Sequence, residues 1–538
     1  MGSTLLHRLS RRPGPASART SIHTYGLYLG VVPERAARVR GAMPLVLDHD
    51  LDVLPEAGRR LTVTQLAGHV EDIANRFAAA GVRSGRHVVI RKAPNFDLWL
   101  LATAVERIGA VPVMLSHHLD AKAIAALLAR LDRPHLVTDG PGLHSLTEGG
   151  VDLAGLTRGV IGVGDAGTDA GAVPLAGLDG TVPARPVLRG LDEPAMITHT
   201  SGTTGLPKLV VHTPRTMRSR LRPQLFLLGL MRKRGTVAIH LPFGHSRTFA
   251  AMSLCLLKGM PALLVNDGTA QAVAGFFAEH RPWLIEALPN SFLTWEKLAD
   301  DARRPFASVK YFSSTFDAIR PRTVRRLLHA SDQRAQFFQI YGQSEVGPAT
   351  GRPYYRRFAD RMDGRCVGYA LPGSARVRLV GRGGRRPSRR NPGFIEVRWD
   401  GIAKTYHGEQ ERYDAHLHDG WWRTGDVGYR TPLGCLHMLD RERDEIPGAG
   451  SNLEIEDILL DRLAELAEVI VVPGPKSDAV PVVCTYRDEP LDPERWRAAT
   501  AAYPHLADPV RIPQAELPRT ATLKTRRAEL SRRLKSGL

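Results

Sequence analysis

The segment best equipped for chemistry is Thr198-His199-Thr200-Ser201-Gly202-Thr203-Thr204-Gly205-Leu206-Pro207-Lys208, which follows the apolar pair Met196 and Ile197. Glycines let a backbone curl tightly, so that successive N–H groups and clustered hydroxyls can surround phosphate oxygens. Lys208 adds a mobile positive charge. The pattern is not GxxxxGK[ST], because the lysine follows Gly205 by three residues and no Ser or Thr follows it. Ser/Thr/Gly clusters are also ordinary loop material, and residue chemistry alone leaves both readings open. Further downstream stand Tyr341 and Glu345 in YGQSE, Asp426 in WRTGD, and Lys524 in a basic stretch. Taken singly, these fit a loop, a turn between strands and a solvated helix. No Ser-His-Asp or Cys-His pairing stands out.

Taken in order, the same segments form a pattern. TSGTTGLPK resembles the phosphate loop of the adenylate-forming superfamily, which includes acyl- and aryl-CoA ligases, luciferases and peptide-synthetase adenylation domains. Tyr341-Gly342-Gln343-Ser344-Glu345 resembles that family's YGxTE, residues 422–426 its WxxTGD, and residues 518–524 its terminal P-K/R-T-x-x-G-K. Asp440-Arg441 opens a segment resembling its interdomain hinge. The resemblance implies ATP and Mg²⁺ as cofactors and coenzyme A as co-substrate. It implies phosphate contacts from Thr200, Ser201, Gly202, Thr203, Thr204, Gly205 and Lys208, and it places Ser314, Tyr341, Gly342 and Ser344 at the nucleotide. Tyr341 is expected to stack on adenine, and Glu345 to hold the metal, since magnesium favours carboxylate oxygen. Asp426 is expected to accept both ribose hydroxyls, with Arg441 beside the ribose and Gly450 on a loop lining the thiol channel. Lys524, with Thr204 and Glu345, makes up the implied catalytic set, the lysine neutralising charge as AMP is transferred.

The implied reaction has two halves. A carboxylate attacks the α-phosphorus of ATP, giving an acyl-adenylate and pyrophosphate. The small domain then swings, and coenzyme A takes the acyl group as AMP leaves. An amine or the phosphopantetheine of an acidic carrier protein is the alternative acceptor. Departures from the family pattern fall unevenly. Leu209 and Leu523 replace glycines, and Ser313-Ser314-Thr315 replaces a Gly-Gly-Ala-like run, without loss of any charged group. At the hinge, Arg443 stands where Asp or Lys is usual, Pro447 replaces a frequent Lys, Ile455 a common Pro and Asp457 a Glu. Proline restricts φ and removes a donor, so the first half-reaction is better supported than the second. The substrate is expected to be a small-molecule carboxylic acid. Its pocket is expected near residues 242–246 and the strand before Tyr341, with His245, Phe243 and Phe338 as wall residues that core packing accounts for equally well.

These residues need a scaffold. Leu66, Val70, Ile73, Ala74 and Phe77 fall on one helical face within 61–82, RHVVIR at 86–91 reads as a strand, 95–108 as a helix and 111–115 as a strand. Such alternation indicates an α/β fold. The expected architecture is a large multi-subdomain N-terminal region with mixed sheets and helices, followed by a small mobile α/β C-terminal domain. The boundaries are a flexible basic arm at 1–20, a large domain at 21–439, a hinge at 440–443 and the small domain at 444–538. In the small domain, 452–466 and 523–536 read as helices and 469–474 as a strand. Residues 141–190 are rich in Gly, Ala, Asp and Val and read as long loops or weak elements, and 381–393, with five arginines, reads as a solvated turn.

Composition sets outer limits. The 538 residues carry 73 Lys/Arg against 55 Asp/Glu, a formal charge of +18, with 43% hydrophobic residues, which is the profile of a folded enzyme-sized chain. The basic excess raises a nucleic-acid reading, but no zinc spacing, helix-turn-helix or aromatic-basic RNA pattern supports it. Four widely spaced cysteines, at 255, 366, 435 and 484, form no CxxC and suggest a reducing, cytoplasmic setting. The stretch 249–265 is broken by Lys258, Gly259 and Pro261, so it reads as a buried helix turning into a strand, and no membrane span is expected.

Overall fold

The computed structural model describes residues 26–168, 171–200, 206–231, 234–371, 373–476, 478–486, 489–519 and 525–537. The basic arm at 1–20 lies outside them. Two large sheets lie one on each side of a helical layer. The first has eight strands among the described residues and runs parallel through Val111–Met114, His87–Arg91, His135–Thr138, Gly159–Gly162 and Val173–Pro174. Met196–His199 joins it beside Val111–Met114, and Leu209–His212 pairs antiparallel to Met196–His199. The second sheet has fourteen strands. Its parallel half runs Pro44–Leu47, Ala262–Leu264, Val237–His240, Leu284–Ala287, Tyr311–Ser314 and Gln336–Gln343, and an antiparallel half follows from Gly347–Tyr355 to Arg376–Val380.

Parallel strands are buried on both faces and need helices over them. Val63–Ala79, Asp97–Arg107, Pro214–Leu230 and Ser246–Lys258 fill the layer between the sheets, where Phe77, Trp99, Leu221 and Phe249 meet Val88, Ile90, Met196 and Ile239. The expected 249–265 element is the helix Ser246–Lys258, which Gly259 ends at φ +69°, followed by the strand Ala262–Leu264. Among the described residues, no helix is long and apolar enough to cross a membrane. Residues 141–190 hold more structure than their composition suggests. Leu143 and Leu146 of the helix Gly140–Glu148 and Val160 of Gly159–Gly162 pack into the first sheet's outer core.

From Ile446 onward, the chain builds cores of its own. The strands Leu466–Pro473, Ala479–Thr485 and Val510–Arg511 carry the helices Asn452–Arg462, Pro493–Thr500 and Arg527–Lys535, with Leu459, Val471, Val483 and Trp496 in one cluster and Ile470, Val482, Ile512 and Leu530 in another. The seam with the rest of the molecule is ionic. Arg365 Nε reaches Asp457 at 2.7 Å and Arg382 reaches Glu445 at 2.7 Å, while Arg389 pairs with Glu454 and Arg320 donates to the Ala467 carbonyl. The arginine turn at 381–393 is therefore only partly solvated, because two of its arginines, Arg382 and Arg389, hold acids beyond the hinge.

Asp440, on the strand Leu436–Arg441, accepts from the backbone N–H of Asn452 at 3.0 Å and of Leu453 at 3.4 Å, at the start of the next helix. Burial pushes its carboxyl up to about 7, with Glu456 adding to the rise and Arg527 opposing it. A carboxyl raised on folding binds more protons in the folded state. Its stabilisation is complete below the unfolded carboxyl range and is lost as pH rises through about 7. Asp440→Asn, which imitates the protonated form, is expected to flatten the fall in thermal stability between about pH 5 and about pH 8. Equal slopes for the variant and the wild type would clear this carboxyl of the effect.

Candidate active site

A cavity of about 980 Å³ opens where the parallel half of the second sheet, the antiparallel half and the small domain meet. Thr200, Lys208, Tyr341, Gly342, Ser344, Glu345, Asp426 and Arg441 all line it, as do Arg519, Thr525 and Arg527 from the C-terminal segment. Ser201, Gly202, Thr203, Thr204, Gly205 and Lys524 lie outside the described residues.

The turn bearing Ser344 and Glu345 is shaped by glycines. The pairing of Gln336–Gln343 with Gly347–Tyr355 shifts register between Tyr341 and Gly342, and a Cβ on Gly342 would sit 2.2 Å from the Gly347 carbonyl oxygen. Gly347 itself has φ +72°. The turn is then held from behind by Arg220, on the helix Pro214–Leu230, which Thr213 and Thr216 cap reciprocally. Arg220 Nη2 donates to the Ser344 carbonyl at 2.9 Å and to the Glu345 carbonyl at 3.0 Å, and Nε donates to the Gly401 carbonyl at 2.8 Å. Burial lowers this guanidinium to about 10, and the nearby Glu345 resists the shift.

In front of the turn, the Tyr406 hydroxyl donates to Glu345 Oε1 at 2.7 Å and receives Lys208 Nζ at 3.1 Å, with the ammonium 4.6 Å from the ring centre. Burial and the Glu345 carboxylate raise the Tyr406 phenol far above its usual range, so it stays a donor. Burial lowers Lys208 while Glu345 pulls the other way. A cation, a phenol and a carboxylate thus form one line on the wall. Nearby, Asp426 Oδ2 accepts from the Tyr341 hydroxyl at 2.6 Å and from Gln343 Nε2 at 2.9 Å, and Arg441 Nε lies 3.9 Å from Oδ1. The aromatic ring and the acid that the sequence assigned to adenine and ribose are therefore mechanically coupled.

One further wall of the cavity carries a cross-strand row. Glu286, Ser313 and Phe338 are in register on adjacent parallel strands, so their side chains share a face. Arg247, near the start of the helix Ser246–Lys258, clamps Glu286 with both Nε and Nη2, the latter at 2.6 Å. His245 caps that helix by accepting from the Arg247 N–H at 3.1 Å, and its Nε2 lies 3.4 Å from Ser344 Oγ.

Three expected positions fall elsewhere. Ser314 is fully buried on the opposite face of its strand, and strand alternation leaves Ser313 and Thr315 on the cavity wall instead. Phe243 is not a pocket residue. It packs in the core, 6.0 Å from the Phe96 ring and 5.7 Å from that of His49, because the layer between the sheets takes up the apolar side chain of this turn. Gly450, at φ +79°, is exposed and off the cavity wall. Sequence reading missed Arg220, Tyr406, Arg247 and Glu286. A signal existed for Glu286, a lone charge inside the apolar run WLIEAL, and none for Tyr406.

Arg220→Met is expected to lower stability by about 3–5 kcal/mol, since it strips donors from buried carbonyls and leaves Glu345 without its neighbouring guanidinium. The readout is the urea midpoint together with ATP binding. A variant within about 0.5 kcal/mol of wild type would mean that the carbonyls find other donors.

Comparison with known proteins agrees with this arrangement. The profile of the AMP-binding enzyme family matches residues 33–407. The chain is 43% identical over 528 residues to a 3-amino-2-hydroxy-4-methoxybenzoate diazotase of Streptomyces cremeus, covering 94% of this chain and 95% of the relative. It is 26% identical over 447 residues to a 4-chlorobenzoate–CoA ligase of Arthrobacter sp, covering 78% of each. Its fold matches that of an anthranilate CoA ligase bound to anthranoyl-AMP with a TM-score of 0.80 at 18% identity, covering 95% of this chain and 98% of the other. With the phosphate-loop flanks, the Tyr341 turn and the Asp426–Arg441 pair gathered on one cavity, the chain belongs to the AMP-binding enzyme family, within the adenylate-forming superfamily.

Proposed function

We propose that this adenylate-forming enzyme spends ATP to convert the ring amine of an aminobenzoate-type acid into a diazo group. The carrying observation is the Arg247–Glu286 ion pair on the wall of the substrate end. Buried charge is costly beside a plain hydrocarbon chain, and it suits a ring bearing polar and ionic substituents. The diazotase of Streptomyces cremeus, similar along nearly the whole chain and named for such a ring, supports the same reading. So do Arg443 and Pro447 in the hinge segment, where coenzyme A transfer makes its demands.

The chemistry balances with nitrite as the nitrogen donor. A nitrite oxygen attacks the α-phosphorus, the bond to the β-phosphate oxygen breaks, and pyrophosphate leaves. The amine nitrogen on the ring then attacks the nitrosyl nitrogen of the mixed anhydride. AMP departs with the electron pair of the O–N bond, and the amine nitrogen loses a proton. The resulting N-nitrosamine tautomerises to the diazohydroxide and sheds hydroxide to leave the diazonium. No external oxidant is consumed.

In this scheme Lys208 and Lys524 neutralise phosphate charge, Asp426 and Arg441 hold the ribose, and Tyr341 supports the base. Glu345, with Tyr406 fixing one carboxylate oxygen beside Lys208, presents a hard oxygen ligand that fits Mg²⁺. The metal would supply charge neutralisation on the nucleotide phosphates. His245 and Phe338 belong to the ring's surroundings. The second reading, adenylation of the substrate carboxylate followed by transfer to coenzyme A, is favoured by the aryl-CoA ligases among the relatives.

The test supplies ATP and Mg²⁺ with an amino-hydroxybenzoate, adding either nitrite or coenzyme A. Diazonium is read by coupling to a naphthol, thioester by chromatography, and turnover by pyrophosphate release. Azo dye that needs both ATP and nitrite is expected, and Lys524→Ala is expected to cut pyrophosphate release at least ~100-fold. Thioester without azo dye would overturn the leading reading in favour of the second.

A further inference from the structure

Away from the nucleotide cavity, the antiparallel half of the second sheet gathers a separate set of ligand-type side chains. Cys366 opens the strand Cys366–Ala370, and Cys435 closes the turn that leads into Leu436–Arg441. His437 pairs across the strands with Cys366. One ligand atom from each of Cys366, Cys435 and His437 lies within 4.8 Å of the others, and all three residues are buried. The two sulfurs are in disulfide contact in the structure. Two neighbours have no part to play in a disulfide. Asp363 Oδ2 lies 3.0 Å from His437 Nε2, and Arg352 Nη1 donates to Cys435 Sγ at 3.4 Å.

We propose that, in the reduced chain, Cys366, Cys435 and His437 bind a zinc ion. Two thiolates and an imidazole are the donor set that selects zinc among divalent ions. With Asp363 on Nε2, the ring nitrogen left to ligate is Nδ1, which exchanges its long 3.5 Å contact with the Cys435 carbonyl for the ion. A carboxylate on the outer nitrogen fixes the tautomer and makes the imidazole a better ligand. Arg352 offsets thiolate charge, which a neutral disulfide does not carry. The Cα atoms of the two cysteines are 6.7 Å apart, a span that accommodates two Zn–S bonds of about 2.3 Å. Asp363 is half exposed, so the outer side of the cluster faces solvent. Bound there, the ion would fasten the strand Leu436–Arg441, which runs into the hinge, to the sheet behind it.

The experiment uses the full chain purified under reductant without chelator. Zinc is counted by atomic emission, and Co²⁺ replaces it for absorption spectroscopy. About one equivalent of zinc per chain and a sulfur-to-cobalt charge-transfer band are expected, both absent in Cys435→Ser. Asp363→Asn is expected to keep the band and weaken metal affinity about 10- to 100-fold. To keep the test independent of the folding of Cys435→Ser, a second readout uses the wild type alone. Zinc is expected to shield Cys366 and Cys435 from alkylation under native conditions, and chelator to expose them. A Cys366–Cys435 disulfide in chain isolated with immediate alkylation, or the absence of both band and shielding, would overturn the proposal.

Discussion

A buried guanidinium with three carbonyls to satisfy is the constraint around which this molecule is arranged. Arg220 sits inside the helical layer and reaches Ser344, Glu345 and Gly401 at once. It thereby fixes the turn of the second sheet against the segment that carries Tyr406. Glycines at 342 and 347 are needed for the same reason, since a side chain at 342 would strike the turn and one at 347 would strike Arg220 itself. The line from Lys208 through Tyr406 to Glu345 is therefore preorganised before any nucleotide arrives. Dipoles and charges held in place this way stabilise developing charge without reorganising.

Two kinds of surface meet at the cavity. The Tyr341 end is built from residues of neighbouring strands tied together by side chains, as with Gln343, which bonds both the Asp426 carboxylate and the Thr424 carbonyl. The other end is a row across parallel strands, one residue per strand along Glu286, Ser313 and Phe338. Parallel strands hold such a row at about 4.8 Å spacing, so the wall offers a charge, a hydroxyl and a ring at fixed intervals.

Much of this was legible in the sequence. The helices and strands of the first sheet were, because their apolar periodicity is strong, and so were the segments around Lys208, Tyr341, Asp426 and Arg441, which share one cavity. Legibility failed where the answer depends on strand phase or on distant partners. Nothing in SST tells which of Ser313 and Ser314 faces the cavity. Phe243 and Phe338 are equal as apolar residues and differ only in which layer lies over them. Arg220 owes its role to carbonyls more than a hundred positions away, Tyr406 to residues 61 and 198 positions away, and Cys366 and Cys435 are 69 residues apart. Arg382 and Arg389 of 381–393 looked solvated because their acids, Glu445 and Glu454, lie more than sixty positions further along the chain.

The ionic seam of the small domain also bears on how such a protein can change over generations. Arg365, Arg382 and Arg389 each meet a different acid, and none of the three pairs includes Glu286, Ser313 or Phe338. Each pair is a separate dial. A lineage can stiffen or loosen the docking of the C-terminal segment by single charge substitutions, leaving the row of Glu286, Ser313 and Phe338 untouched. Docking and wall are then free to drift independently, each with its own set of positions.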